Sequence, residues 1–62
     1  MDRLLVAKWI DDERTLRGWT KSELARRMGV SYQSAQAWCH KGVIAQTTYN
    51  RLRKLYGETK HE

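Results

Sequence analysis

The stretch Lys21 to His40, KSELARRMGVSYQSAQAWCH, constrains this chain more than any other feature. Its apolar and small residues fall at Leu24, Ala25, Met28, Gly29, Val30, Ala35 and Trp38. Leu24 and Met28 stand four apart, on one helical face. Ala25 is small enough to let a second helix cross close by. Gly29 suits the left-handed conformation that ends a helix. Val30 then anchors a turn, and Ala35 and Trp38 supply the inward stripe of the next helix. The spacing predicts two short helices joined by a tight turn. The strength of the signal lies in seven compatible positions at fixed offsets, since a lone glycine proves little.

The rest of the chain extends this into four helices with no strands. Helix 1 is expected from about Arg3 to Arg17, with Asp2 as N-cap and Gly18 as its stop. Leu5, Val6, Trp9, Ile10 and Leu16 form its apolar face, and Lys8, Asp11, Asp12 and Arg14 its polar one. Thr20-Lys21-Ser22-Glu23 fits a capping box for helix 2, and Trp19 and Leu24 fit a hydrophobic staple. Helix 2 ends at Met28. Ser31 caps helix 3, which runs to about Lys41 and is ended by Gly42. Helix 4 is expected to start near Thr47 or Thr48, to carry Tyr49, Leu52, Leu55 and Tyr56 inward, and to end at Gly57. Residues 58–62 have nothing to bury and are expected to fray. The expected core is Leu5, Trp9, Ile10, Trp19, Leu24, Ala25, Met28, Val30, Ala35, Trp38, Ile44, Leu52 and Leu55. The three tryptophans sit on apolar stripes, as core residues do, rather than along a groove where bases would stack on them.

Charge and cysteine usage narrow the function classes. The 62 residues make one domain, and the single cysteine excludes an internal disulfide. No apolar run approaches the roughly 18 residues of a membrane helix. Leu4 to Ala7 is too short for a signal-peptide core, so a reducing cytoplasm is expected. The net charge of +5 is unevenly spread. Arg14 to Tyr56 holds nine Lys/Arg against one acid, Glu23, for +8, whereas Met1 to Glu13 carries −2 and Gly57 to Glu62 carries −1. A polyanion is the natural partner for such a distribution. Cys39 and His40 are adjacent and point about 100° apart on a helix, so they cannot readily share a metal or act as nucleophile and base. With no paired buried carboxylates, no Ser/His/Asp set and no Gly-rich phosphate loop, no enzyme, metal, cofactor or small-molecule ligand is expected.

LARRMGVS, followed by Trp38 seven residues after Ser31, resembles the Cro/repressor helix-turn-helix family of temperate phages, also called XRE-like. The similarity continues through GVIAQTTYNRL and covers about Ile10 to Gly57. Many members of that family carry Pro where Ala45 stands and an acid where Cys39 stands. The missing Pro leaves the loop after helix 3 less rigid. The resemblance implies an all-α, lambda-repressor-like DNA-binding domain, a compact bundle of four short helices over residues 1–57, with residues 58–62 as a tail.

With Ala35, Trp38 and Cys39 facing in, the outward face of helix 3 is Gln33, Gln36, Ala37 and His40, flanked by Ser34 and Lys41, with Tyr32 at the side. It holds no acid. In the phage family the N-terminal part of this helix reads base edges in the major groove. A Gln can bond adenine N6 and N7 together. The resemblance therefore assigns base readout to Tyr32, Gln33, Gln36 and Ala37. Tyr32 and Ala37 would touch a thymine methyl, or Tyr32 a phosphate. Phosphate and backbone contacts fall to Lys21, Ser31, Ser34, His40, Lys41, Thr47, Thr48 and Arg51. Lys21 takes the place where relatives commonly put a Gln that bridges phosphate and base. Arg14 and Arg17 are further candidates.

The expected partner is double-stranded operator DNA, and the expected function is sequence-specific transcriptional regulation of the phage Cro or repressor type. Other readings on the same fold are an autoregulator of a toxin–antitoxin or anti-CRISPR operon, a DNA-architectural or excision factor, and a protein-interaction module. A two-fold operator calls for a dimer. Leu55, Tyr56 and the exposed side of helix 1 would give a weak interface, or the protein would pair only on DNA.

Overall fold

The computed structural model describes residues 2–59, and they form four helices and no strand. These are α1 (Arg3–Leu16), α2 (Lys21–Met28), α3 (Tyr32–Lys41) and α4 (Gln46–Glu58). No described helix is long and apolar enough to cross a membrane.

Local backbone chemistry sets most of the boundaries. The Asp2 carboxylate accepts from the Leu4 amide at 2.9 Å, giving α1 the N-cap that the sequence predicts. At its other end Gly18 has φ +73°, and the amides of Gly18 and Trp19 donate back to the Thr15 and Arg14 carbonyls. This 5→2 and 6→1 pair satisfies carbonyls that the last turn would otherwise leave bare. The Thr20 hydroxyl accepts from the Glu23 amide at 3.1 Å, as one half of a capping box requires. The reciprocal half does not form. The Glu23 carboxylate is taken by Arg26 and by Arg27, the latter at 2.9 Å, because two guanidiniums one turn ahead compete better than a backbone amide behind. The Ser31 hydroxyl caps α3 by accepting from the Ser34 amide at 3.2 Å.

The core takes one fully enclosed side chain from each helix: Ile10, Leu24, Ala35 and Leu52. Val6, Ala7, Ala25, Met28, Trp38, Cys39 and Tyr56 complete it, with Trp9, Trp19, Val30, Ile44, Tyr49 and Leu55 half-buried around the edge. Trp9 meets the edge of Tyr56 at 5.3 Å and lies 5.6 Å from Tyr49, so α1 and α4 are joined by aromatic contact. The Tyr56 hydroxyl donates to the Ile10 carbonyl at 2.8 Å across the same seam. Burial there pushes the phenol well above the ordinary tyrosine range.

Two features of α1 differ from the sequence expectation. Leu5 and Leu16 are 65% and 53% exposed, so Leu5 is not in the core. The inward stripe instead passes through Val6, Ala7 and Ile10 and continues onto Arg14 and Arg17. Arg17 is only 6% exposed. Its guanidinium bonds the Glu13 carboxylate and carbonyl, the Thr59 hydroxyl and the Tyr56 carbonyl, and lies 4.5 Å over the Tyr56 ring. A fully bonded arginine can occupy an inward position that a hydropathy pattern reserves for leucine. The helix therefore turns its leucines outward.

Helix α4 also departs at both ends. It begins at Gln46, with Ala45 in the cap position and no side-chain cap, rather than at Thr47 or Thr48. Ile44 packs against the core just before it, and this fixes where the chain turns upward. The helix does not stop at Gly57. It runs through Glu58, because Arg17 takes the Tyr56 carbonyl and Thr59 Oγ1 takes the Leu55 carbonyl at 2.7 Å. Those donors replace a glycine cap. Residues 60–62 of the expected tail lie outside the described residues.

Candidate nucleic-acid interface

The phase of α3 follows from what it buries. Ala35, Trp38 and Cys39 point into the core, against α1 and α2. Gln33, Gln36, His40 and Lys41 are exposed and Ala37 is half-buried. These five residues line one shallow depression along the outer side of the helix. The structure thus brings together Gln33, Gln36 and Ala37 with His40 and Lys41. Tyr32, 48% exposed, sits apart at the start of the helix. It borders a second depression with Arg14, Thr20, Lys21 and Ser22, where the N-terminus of α2 meets that of α3.

The two depressions are joined by one side-chain contact. Lys21 Nζ donates to His40 Nε2 at 2.8 Å, linking the first residue of α2 to the last turn of α3. For Nε2 to accept, the ring hydrogen must sit on Nδ1. The contact holds the Lys21 ammonium beside the outward face of α3. Among the described residues no carboxylate pairs with Lys21 or Lys41. Their charge is available to a ligand.

The other cations are differently engaged. Arg14 bonds Asp11 through two nitrogens, at 2.6 and 3.1 Å, and reaches the Trp19 carbonyl. The Arg14 guanidinium holds the Asp11 carboxyl below the usual carboxylate range. Arg17 is buried, which removes it as a phosphate contact. Arg26 and Arg27 are paired with Glu23, and Arg27 also lies 4.4 Å over the Trp19 ring. Cys39 is enclosed, and burial pushes its thiol up. No group of three potential metal ligands stands together among the described residues.

The remaining predicted contacts are dispersed. Ser31 and Ser34 spend their hydroxyls on each other and on the cap of α3. Thr47 and Thr48 lie in the first turn of α4. Arg51 turns away from the α3 face. Its guanidinium reaches the Met28 carbonyl at 3.3 Å and lines a separate basic depression with Arg27 and Lys54. Sequence reasoning did not single out Ser22, which shares the depression at the start of α2 with Lys21. A hydroxyl in the first turn of a helix, just after a capping threonine, was the signal that could have found it.

Comparison of this chain with protein-family models, with curated proteins and with solved structures finds no match in any of the three.

Proposed function

We propose that this protein is a sequence-specific double-stranded DNA-binding regulator of transcription, of the Cro or repressor type found in phages and prophages. In this reading α3 enters the major groove, Gln33 and Gln36 read base edges, and Lys21 and Lys41 meet phosphates on either side. The observation that carries the proposal is the outer face of α3. It is exposed, it holds no acid, and Lys21 is bonded to its far end through His40. A helix meant to face protein or plain water has no need to exclude carboxylates, whereas a phosphate-lined groove repels every one. The half-buried Ala37 keeps the middle of that face low, so that the helix backbone can come close to the bases.

The test is selection from a random pool of duplex DNA, followed by sequencing, at two salt concentrations. Enrichment of a defined site, with affinity falling as salt rises, is the expected result. Salt-sensitive binding without an enriched site would point to an architectural DNA protein instead. Absence of binding at low salt would refute the proposal.

A further inference from the structure

The outer stripe of α1 is chemically distinct from the rest of the surface. At about 100° per residue, Leu5, Asp12 and Leu16 fall within roughly 40° of one another, with Lys8 close to one side. The two leucines are among the most exposed large apolar side chains of the molecule. Between them Lys8 and Asp12 form an ion pair at 2.9 Å, with their side chains 72% and 55% exposed. Leu5, Lys8, Asp12 and Leu16 are all exposed, since α1 turns Val6, Ala7 and Ile10 inward, and α4 reaches only the edge of the stripe, where Trp9 packs on Tyr49 and Tyr56.

The pattern complements itself under a two-fold axis. The midpoint of Leu5 and Leu16 and that of Lys8 and Asp12 differ by half a residue, about 0.8 Å along the helix. An antiparallel copy of α1 laid on this stripe sets Leu5 against Leu16 and Lys8 against Asp12, each of them twice. A parallel copy would set lysine on lysine. Charge favours the same face. A chain of net +5 repels its own copy, but this stripe holds one cation and one anion. It lies on the side of α1 away from α3, so the basic face carrying Lys21 and Lys41 is turned from the contact. From these observations we propose that the outer stripe of α1 is a homodimer interface, with α1 antiparallel to α1 of a second copy. A 14-residue helix offers only about 21 Å of contact length, which makes the pairing weak and reversible.

The test needs no DNA, so its outcome is separate from that of the regulatory reading. Sedimentation velocity and backbone amide shifts of the full chain are followed from low micromolar to near-millimolar concentration. Concentration-dependent association is expected, with shifts concentrated at Leu5, Lys8, Asp12 and Leu16. Lys8→Asp gathers four carboxylates at the axis and is expected to weaken association at least tenfold. The double exchange Lys8→Asp with Asp12→Lys restores the pairing and is expected to recover most of it. These side chains are exposed, and an unchanged unfolding midpoint checks that each variant is folded. The proposal is overturned if the chain stays monomeric throughout. It is equally overturned if the shifts map to α3 or α4, if Lys8→Asp associates as before, or if the double exchange recovers nothing.

Discussion

Replacing Gly42 by Ala isolates a close backbone approach from an unfavourable backbone angle. Three glycines, at 18, 29 and 42, have φ of +73°, +70° and +68°. Any L-residue at these angles costs about 1–2 kcal/mol from the clash of Cβ with its own backbone. At Gly18 and Gly29 nothing else lies within 4 Å of the position a Cβ would take. At Gly42 that Cβ would stand 1.9 Å from the Arg3 carbonyl oxygen and 2.7 Å from its carbon. Backbone atoms cannot swing aside, so the end of α3 and the start of α1 must separate. Overpacking of this kind costs roughly 1–3 kcal/mol more. Gly29→Ala should therefore lose about 1–2 kcal/mol and Gly42→Ala about 2–5 kcal/mol. A chain of this length has a total stability of roughly 3–9 kcal/mol, so Gly42→Ala brings it near the edge of unfolding. Urea titration followed by tryptophan fluorescence measures both. For a domain this small each kcal/mol also lowers Tm by about 4–8 °C. Equal losses at 29 and 42 would refute the idea that the Arg3 contact, rather than φ alone, demands glycine.

Other expectations concern the face of α3 and the seam between α1 and α4. Gln33→Ala and Gln36→Ala should each cost roughly 1–3 kcal/mol at one base pair of the selected site and relax preference there, as read by binding to single-substitution sites. A uniform loss over all sequences would remove their readout role. Lys21→Ala and Lys41→Ala should weaken binding to any duplex and each reduce the slope of log K against log salt by about 0.9, measured by fluorescence anisotropy. Tyr56→Phe removes the second hydrogen bond to the Ile10 carbonyl, which keeps its helical bond within α1, and should cost about 0.5–1.5 kcal/mol in chemical denaturation. The unfolded chain releases the Tyr56 proton near pH 10, while the folded chain, with its phenol pushed up, still holds it. Stability therefore falls as pH rises through that value, by about 1.4 kcal/mol per unit for this group, and Tyr56→Phe should flatten the fall.

What could be read from the sequence was what the backbone decides locally. Asp2, Thr20 and Ser31 each sit beside the amide they cap, and Gly18, Gly29 and Gly42 each end a turn within their own five or six residues. The outward face of α3 was legible for a related reason. Ala35, Trp38 and Cys39 fix the rotation of a ten-residue helix, and Gln33, Gln36 and His40 then have only one side to occupy. Tertiary bonding was not legible. Nothing near Arg17 in the chain announces that it will cap α4 from 39 residues away, yet that bond helps carry α4 past Gly57, on a helix whose Leu5 and Leu16 face the surface. The Lys21–His40 contact spans 19 residues and depends on how α2 and α3 cross, which no periodicity encodes. Arg51 was placed with the α3 face by its position on α4, and the carbonyl of Met28 draws it elsewhere.

The bond from Tyr56 to Ile10 joins partners 46 residues apart, and its consequence falls in the first seconds of the molecule's life. Synthesis at about 5–20 residues per second makes α1 roughly 2–9 s before the helix that must cover it. Through that interval Ile10 has neither Leu52 nor Tyr56 above it, Arg17 has no carbonyl to bind, and α3 has no completed core to rest on. A nascent chain lacking α4 should therefore be cut readily by proteases. The ordered face of α3 is expected to arise only once α4 is available to close the core beneath it.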